Sequence, residues 1–149
     1  MLTKRTFLAT AAAVALFGCG ASGPAETIVN LSMTGAADMN DGAPAQAKVY
    51  YLTDATAFRS ADFFAVFNQP EATLGDALIK VETYQLTPGG TVTDTQSFPA
   101  AAPTSTPTAI GVVAAFRDIN GAFLQVRPLA PNVPNTVQVT LSGNTVTLR

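Results

Sequence analysis

The sequence predicts an all-β fold: a two-sheet β-sandwich of about eight short strands with a short helical insertion. Three observations predict it. Period-two alternation of apolar and polar residues recurs along the chain, one strand-length run is almost wholly apolar, and a single segment carries a helical spacing of aromatic residues. Alternation puts one face of each strand in a core and the other in water. A lone amphipathic helix among such strands fits a sandwich better than a layered α/β fold.

The elements follow in order. Val29, Leu31 and Met33 alternate with Asn30, Ser32 and Thr34, and Ala47, Val49 and Tyr51 with Lys48 and Tyr50. Ser60–Phe67 places Phe63, Phe64 and Phe67 on one helical face, with Ser60 as N-cap and Asp62 at the positive end; Asn68-Gln69-Pro70 stops it. These aromatics, with Phe58, would pack the helix onto a sheet; a ligand pocket is the other reading. In Ile79–Leu86 the apolar phase changes between Val81 and Tyr84, which predicts a bulge near Glu82-Thr83. Pro88-Gly89-Gly90 turns the chain into Thr91–Phe98, polar enough for an edge, and Pro99–Pro107 reads as a surface loop. Ile110–Phe116 is the apolar run expected of a strand covered on both faces. Val137, Val139 and Leu141, then Ser142-Gly143-Asn144, then Val146 and Leu148 spell a C-terminal hairpin.

The first twenty residues are of a different kind. Lys4 and Arg5 precede an apolar run, Phe7–Phe17, too short to span a bilayer, which takes about 20 residues. That pattern is a secretory leader. It ends in Leu16-Phe17-Gly18-Cys19, which resembles the bacterial lipobox, and Cys19 is the only cysteine. An ordinary leader with a chance cysteine is the alternative. The expected organisation is a signal peptide over 1–18, a lipidated tether over 19–26 and the sandwich over 27–149.

Composition excludes several classes of function. Without Lys4 and Arg5, six basic residues face ten acidic ones, so no basic surface awaits nucleic acid. The chain has no histidine, which removes the commonest general base and most zinc sites. A calcium loop fails on count: from Asp38, positions six and twelve hold Ala43 and Val49 instead of Gly and Glu. Asn40-Asp41-Gly42 is turn chemistry, and no metal site is expected. Arg117-Asp118, after the apolar strand, would be paired at the sheet end or would anchor a partner carboxylate; the structural role is preferred.

In order, the lipobox, Asn40-Asp41-Gly42, Lys48-Val49-Tyr50-Tyr51-Leu52, Ala57-Phe58-Arg59-Ser60-Ala61-Asp62-Phe63-Phe64, Thr73-Leu74-Gly75-Asp76, Leu86-x-Pro88-Gly89 and Gly111-Val112-Val113-Ala114-Ala115-Phe116-Arg117-Asp118 look like one family. The chain resembles the outer-membrane lipoprotein of the type VI secretion system, the TssJ (SciN, VasD) family. The resemblance implies a transthyretin-like sandwich anchored to the periplasmic face of the outer membrane, which Gly20 after the cysteine also favours. It implies binding to the periplasmic C-terminal region of the TssM inner-membrane protein, and no cofactor beyond the lipid on Cys19. The loop between the first two strands, Gly35–Gln46, is implicated in that contact, which points to Asp38, Met39, Asn40, Asp41, Gly42, Pro44 and Gln46 as partner-binding residues. With little apolar content, this loop is expected to stay out of the core. Two departures stand out: the chain has no tryptophan where relatives often carry a Trp-Arg pair, and Lys48 stands where Arg is common. The leading function is a non-catalytic assembly lipoprotein. The alternative is a transthyretin-like periplasmic binding module for a small ligand or glycan, with a lipid-anchored hydrolase more distant.

Overall fold

The computed structural model describes residues 23–100 and 103–149. The expected leader, Cys19 and the first part of the tether lie outside them, as do Ala101 and Ala102 of the expected 99–107 loop. Eight strands form two four-stranded sheets, as the alternation predicts: β1 (Thr27–Gly35), β2 (Ala45–Leu52), β3 (Leu78–Leu86), β4 (Thr91–Phe98), β5 (Ala109–Ala115), β6 (Leu124–Pro128), β7 (Pro134–Ser142) and β8 (Thr145–Leu148). One sheet has the order β4-β1-β7-β8 and the other β3-β2-β5-β6. β1 and β7 are parallel, and every other pair is antiparallel.

The inner faces make the main core. Val29, Leu31 and Met33 of β1 and Val137, Val139 and Leu141 of β7 meet Ala47, Val49 and Tyr51 of β2 and Ile110, Val112 and Ala114 of β5. The second sheet is also covered on its outside, where Tyr50, Leu52, Ala109 and Val113 pack against the insertion between β2 and β3. Helix on one side and sheet on the other is why β5 reads as continuously apolar.

That insertion is three short helices, α1 (Thr56–Arg59), α2 (Phe63–Asn68) and α3 (Pro70–Leu74). Its details correct the expectation. Asp62, not Ser60, caps α2, its carboxylate accepting the Ala65 N–H at 3.1 Å. The Ser60 hydroxyl instead donates back to the Thr56 and Ala57 carbonyls, each at 3.4 Å, and closes α1. With α2 starting at Phe63, the buried seam runs Phe63, Val66, Pro70 and Leu74, at the three- and four-residue spacing of a helix face. Phe64, about 100° round from Phe63, is 61% exposed rather than buried. Phe58 takes the interior place, fully buried, with Tyr50 at a ring separation of 5.1 Å. Its ring lies on Gly111 of β5, where a Cβ would come within 2.4 Å of it.

The β3 irregularity lies elsewhere than expected. Glu82 and Thr83 pair regularly with Val49 and Lys48, while the register slips between Tyr51↔Lys80 and Leu52↔Leu78, leaving Ile79 as the extra residue. The apolar phase shifts because both faces of β3 are covered: Leu78 and Val81 touch the helices, and Ile79, Tyr84 and Leu86 the main core.

β3 and β4 are the neighbouring edges of the two sheets, and polar side chains close the gap between them. Lys80 Nζ donates to Gln96 Oε1 at 2.6 Å and pairs with Glu82 at 2.7 Å. The Tyr84 hydroxyl donates to Asp94 at 2.5 Å and Gln96 Nε2 to the same oxygen at 2.6 Å, while the other Asp94 oxygen accepts the Thr95 N–H at 2.9 Å. These bonds, the tyrosine's first, hold the Asp94 carboxyl below the usual carboxylate range.

Strand directions give the sandwich a base and a tip. The chain enters at the base, where Thr27 Oγ1 accepts the Asn132 N–H at 2.7 Å. β1 then runs about 30 Å, at roughly 3.3 Å per residue, to the tip. The connections at the tip are 36–44, 87–90, 116–123 and 143–144.

Candidate functional site

The tip holds the residues expected to bind a partner, and the structure divides them into two groups. Met39 and Asn40 are buried, with Met39 fully so and Asn40 6% exposed. Asp38, Asp41, Gly42, Pro44 and Gln46 are exposed. Gln46 is not in the loop at all: it lies within β2, opposite Gln85 and Ala115. Cys19 is among the residues not described.

The loop is thus built into the fold, contrary to the expectation that it stays out of the core. The Met39 sulfur lies against Gly35, only 2.3 Å from where a Cβ would stand. Any larger residue at Gly35 would displace this side chain from the core. Asn40 and Asp41 adopt left-handed backbone, with φ of 48° and 54°, and Gly42 follows at 78°. Asn and Asp tolerate that region better than other residues with a Cβ, which accounts for Asn-Asp-Gly here.

Turned inward by this backbone, Asn40 joins three connections. Its Nδ2 donates to the Pro44 carbonyl at 2.9 Å within its own loop. Its Oδ1 accepts the Arg117 N–H at 2.7 Å, at the end of β5. Its main-chain N–H donates to the Gly143 carbonyl at 2.7 Å, in the β7–β8 turn. Asp38 reaches the same hairpin, accepting the Ser142 hydroxyl at 3.1 and 3.2 Å.

Of Arg117-Asp118, the arginine's main-chain N–H and the aspartate's carboxylate are held within the tip, while both residues are exposed. Asp118 accepts the Asn120 N–H at 2.9 Å, the Asn120 side chain at 2.7 Å and the Asn144 side chain at 3.3 Å. Asn40, Asp41, Asp118, Gly143 and Asn144 line a cleft of about 220 Å³. Ligand sites usually enclose about 300–1,000 Å³, so the cleft is small for one. Among the described residues, no group of three or more His, Cys, Asp or Glu is placed to hold a metal. The tip connections carry the carboxylates of Asp38, Asp41 and Asp118 against one guanidinium, Arg117. The arrangement is a rigid, acidic, hydrogen-bonded surface.

Sequence reasoning missed Asn144 and Gly143 as parts of this surface, since Ser142-Gly143-Asn144 read only as a turn. It also gave Lys48 no role. Lys48 Nζ donates to the Phe67 carbonyl at 2.6 Å, at the end of α2, and lies 4.5 Å from the Phe67 ring centre.

The family model of the type VI secretion lipoproteins (VasD, EvfM, TssJ) matches residues 27–144. Among curated proteins none matches. Among solved structures, the T6SS lipoprotein TssJ1 from Pseudomonas aeruginosa is 24% identical, with a TM-score of 0.72 over 85% of this chain and 96% of that one. Serratia marcescens Lip, a membrane-bound component of the type VI secretion system, is 20% identical, with a TM-score of 0.71 over 85% and 96%. A chain in the structure of the T6SS protein TssM C-terminal domain (869–1107) from EAEC is 24% identical, with a TM-score of 0.63 over 82% and 97%. At these identities the structures speak for the fold, while the family match spans nearly every strand. On that match the chain belongs to the type VI secretion lipoprotein family of TssJ, SciN and VasD.

Proposed function

We propose that this protein is a non-catalytic assembly lipoprotein: anchored through Cys19 at the periplasmic face of the outer membrane, it binds the periplasmic C-terminal region of a TssM-like inner-membrane protein with its tip. The observation that carries the reading is the polarity of β1. The chain enters at the base, and β1 leads to a tip whose β1–β2 loop is locked to two other connections through Asn40. An anchor at the base would turn the tip away from the membrane. Loops on a rigid scaffold are common carriers of binding, and a locked loop loses little conformational freedom on association. A structure of a TssM C-terminal domain containing a chain of this fold is consistent with such a pairing. The ligand-binding alternative is less well served, because the tip cleft is too small for most ligands.

The test uses charge reversal, since exchanging the whole loop would also delete Met39 and Asn40. Asp38→Lys with Asp41→Lys gives up the Ser142 hydrogen bond of Asp38 and sets lysine at the left-handed position 41. It should therefore lower the melting temperature slightly, leave the circular dichroism spectrum in place, and weaken binding to the periplasmic region of the TssM-like protein at least about tenfold, or 1.4 kcal/mol. Calorimetric titration reads this directly; unchanged affinity would move the interface off the loop. The anchor has its own check. Cys19→Ser should abolish labelling by a palmitate analogue, and label that persists would refute lipidation at Cys19.

A further inference from the structure

Phe64 is one of two large apolar residues left exposed among the described residues; Val133, at the base, is the other. Isolated apolar residues on a surface call for no explanation, but Phe64 is not isolated. Its ring stands edge-on to Phe63 at 5.2 Å. Phe63 in turn stacks on Phe67 at 5.2 Å and meets Phe123 edge-on at 5.4 Å. Phe67, Phe123 and Ile119 are themselves only half-buried and pack against the same cluster, so Phe64 stands among other partly exposed apolar side chains on the outside of the second sheet.

Two properties make this patch a docking surface. It is rigid: the Tyr50 hydroxyl donates to the Val66 carbonyl at 2.9 Å, Lys48 to that of Phe67 at 2.6 Å, and Thr73 to that of Ala65 at 2.9 Å. An aromatic ring on so firmly held a helix has little freedom left to lose on binding, the usual condition of an interface hot spot. It is also continuous with the tip. Phe123 ends the 116–123 connection, in which Asn40 holds the Arg117 N–H, and the Phe123 carbonyl accepts the Ala114 N–H at 3.0 Å beside the end of β5.

We propose that Phe64 is the apolar anchor of a second docking patch, covered by the same partner protein that takes the tip. The proposal rests on the tip-binding reading. It specifies the partner's surface: a pocket wide enough for a phenyl ring, with Lys or Arg beside it to meet Asp41 and Asp118. The position of the patch argues for a protein over a bilayer, since Phe67 lies at Lys48, midway along β2, and Phe123 at Ala114, at the tip end and away from the base where the chain enters.

The experiment uses the full-length lipidated protein in detergent and the periplasmic C-terminal region of the TssM-like protein of the same secretion system. Phe64→Ser should weaken binding at least tenfold with an unchanged melting temperature. Phe64→Trp introduces the sole tryptophan of the chain. Its emission should shift to the blue when the partner is added, and stay in place with vesicles of phosphatidylethanolamine and phosphatidylglycerol. Wild-type affinity in Phe64→Ser, with loss in the Asp38→Lys/Asp41→Lys protein, overturns the patch and leaves the tip standing. Wild-type affinity in both removes the tip reading as well. A blue shift with vesicles alone assigns Phe64 to the membrane and overturns the proposal.

Discussion

Asn40→Ala should cost about 3–4 kcal/mol of folding stability, much for a polar residue on a loop. The side chain makes two hydrogen bonds, to the Pro44 carbonyl at 2.9 Å and from the Arg117 N–H at 2.7 Å. Orphaning a buried polar group costs about 1–3 kcal/mol. Pro44 and Arg117 are exposed, so water recovers part of this and the lower end, about 1 kcal/mol for each, is appropriate. A backbone φ of 48° adds about 1–2 kcal/mol for alanine, whose Cβ crowds the carbonyl in left-handed backbone. Glycine escapes that last contribution, so Asn40→Gly should be milder than Asn40→Ala by about 1 kcal/mol. Urea unfolding with linear extrapolation measures both, and an unchanged slope would show that the unfolded state is the same. Asn40→Ala within about 1 kcal/mol of wild type would refute the assignment of Asn40 as the lock of the tip. Equal costs for Ala and Gly would refute the backbone argument alone.

Three further predictions concern the core and the edge seam. Phe58→Ala should cost about 3–5 kcal/mol, as for other buried phenylalanines, and Phe64→Ala under about 1 kcal/mol, as for surface positions; thermal unfolding compares them, and the reverse order would overturn the placement of the two rings. Gly111→Ala should cost about 1–3 kcal/mol by overpacking against Phe58, and the Phe58→Ala/Gly111→Ala double variant less than the two costs added, because one removes the atoms that the other strikes. The Asp94 carboxyl is held below its unfolded value near 3.9, so its contribution is present above about pH 4 and is lost as pH falls through the lowered folded value. Melting temperature against pH should therefore fall more steeply in acid for wild type than for Asp94→Asn, which starts lower at pH 7; parallel curves would refute the linkage.

The strands were legible wherever a single periodicity governed the residue pattern. β1 and β7 face one core, and their alternation is clean; β5 faces two, and its unbroken apolar run says so. β3 was misread because its apolar residues serve both layers, which mimics a phase change at Glu82-Thr83 while the real slip is at Ile79. In the insertion, a helical wheel identifies an apolar face but not which turn begins the helix. With Asp62 as the cap, α2 leaves Phe64 outside, while Phe58, expected in the same cluster, is buried from α1. The tip was located by its turn residues, yet its construction was hidden. Nothing local in Met39 or Asn40 announces a partner such as Gly35 or Arg117, the latter 77 positions away.

The seam between β3 and β4 bears on how such molecules tolerate one another. β4 turns Thr91, Thr93, Thr95 and Ser97 outward along an eight-residue edge, with no lysine or proline to interrupt it. Open edges of that kind recruit strands from neighbouring chains. Confinement to a membrane plane would sharpen the hazard, because tethered copies collide in two dimensions with their edges already aligned. Asp94 occupies the Thr95 N–H with its own carboxylate and sets a negative charge where an incoming strand would have to lie. A charge shared with the seam thus also serves as a guard of the open edge against a second strand.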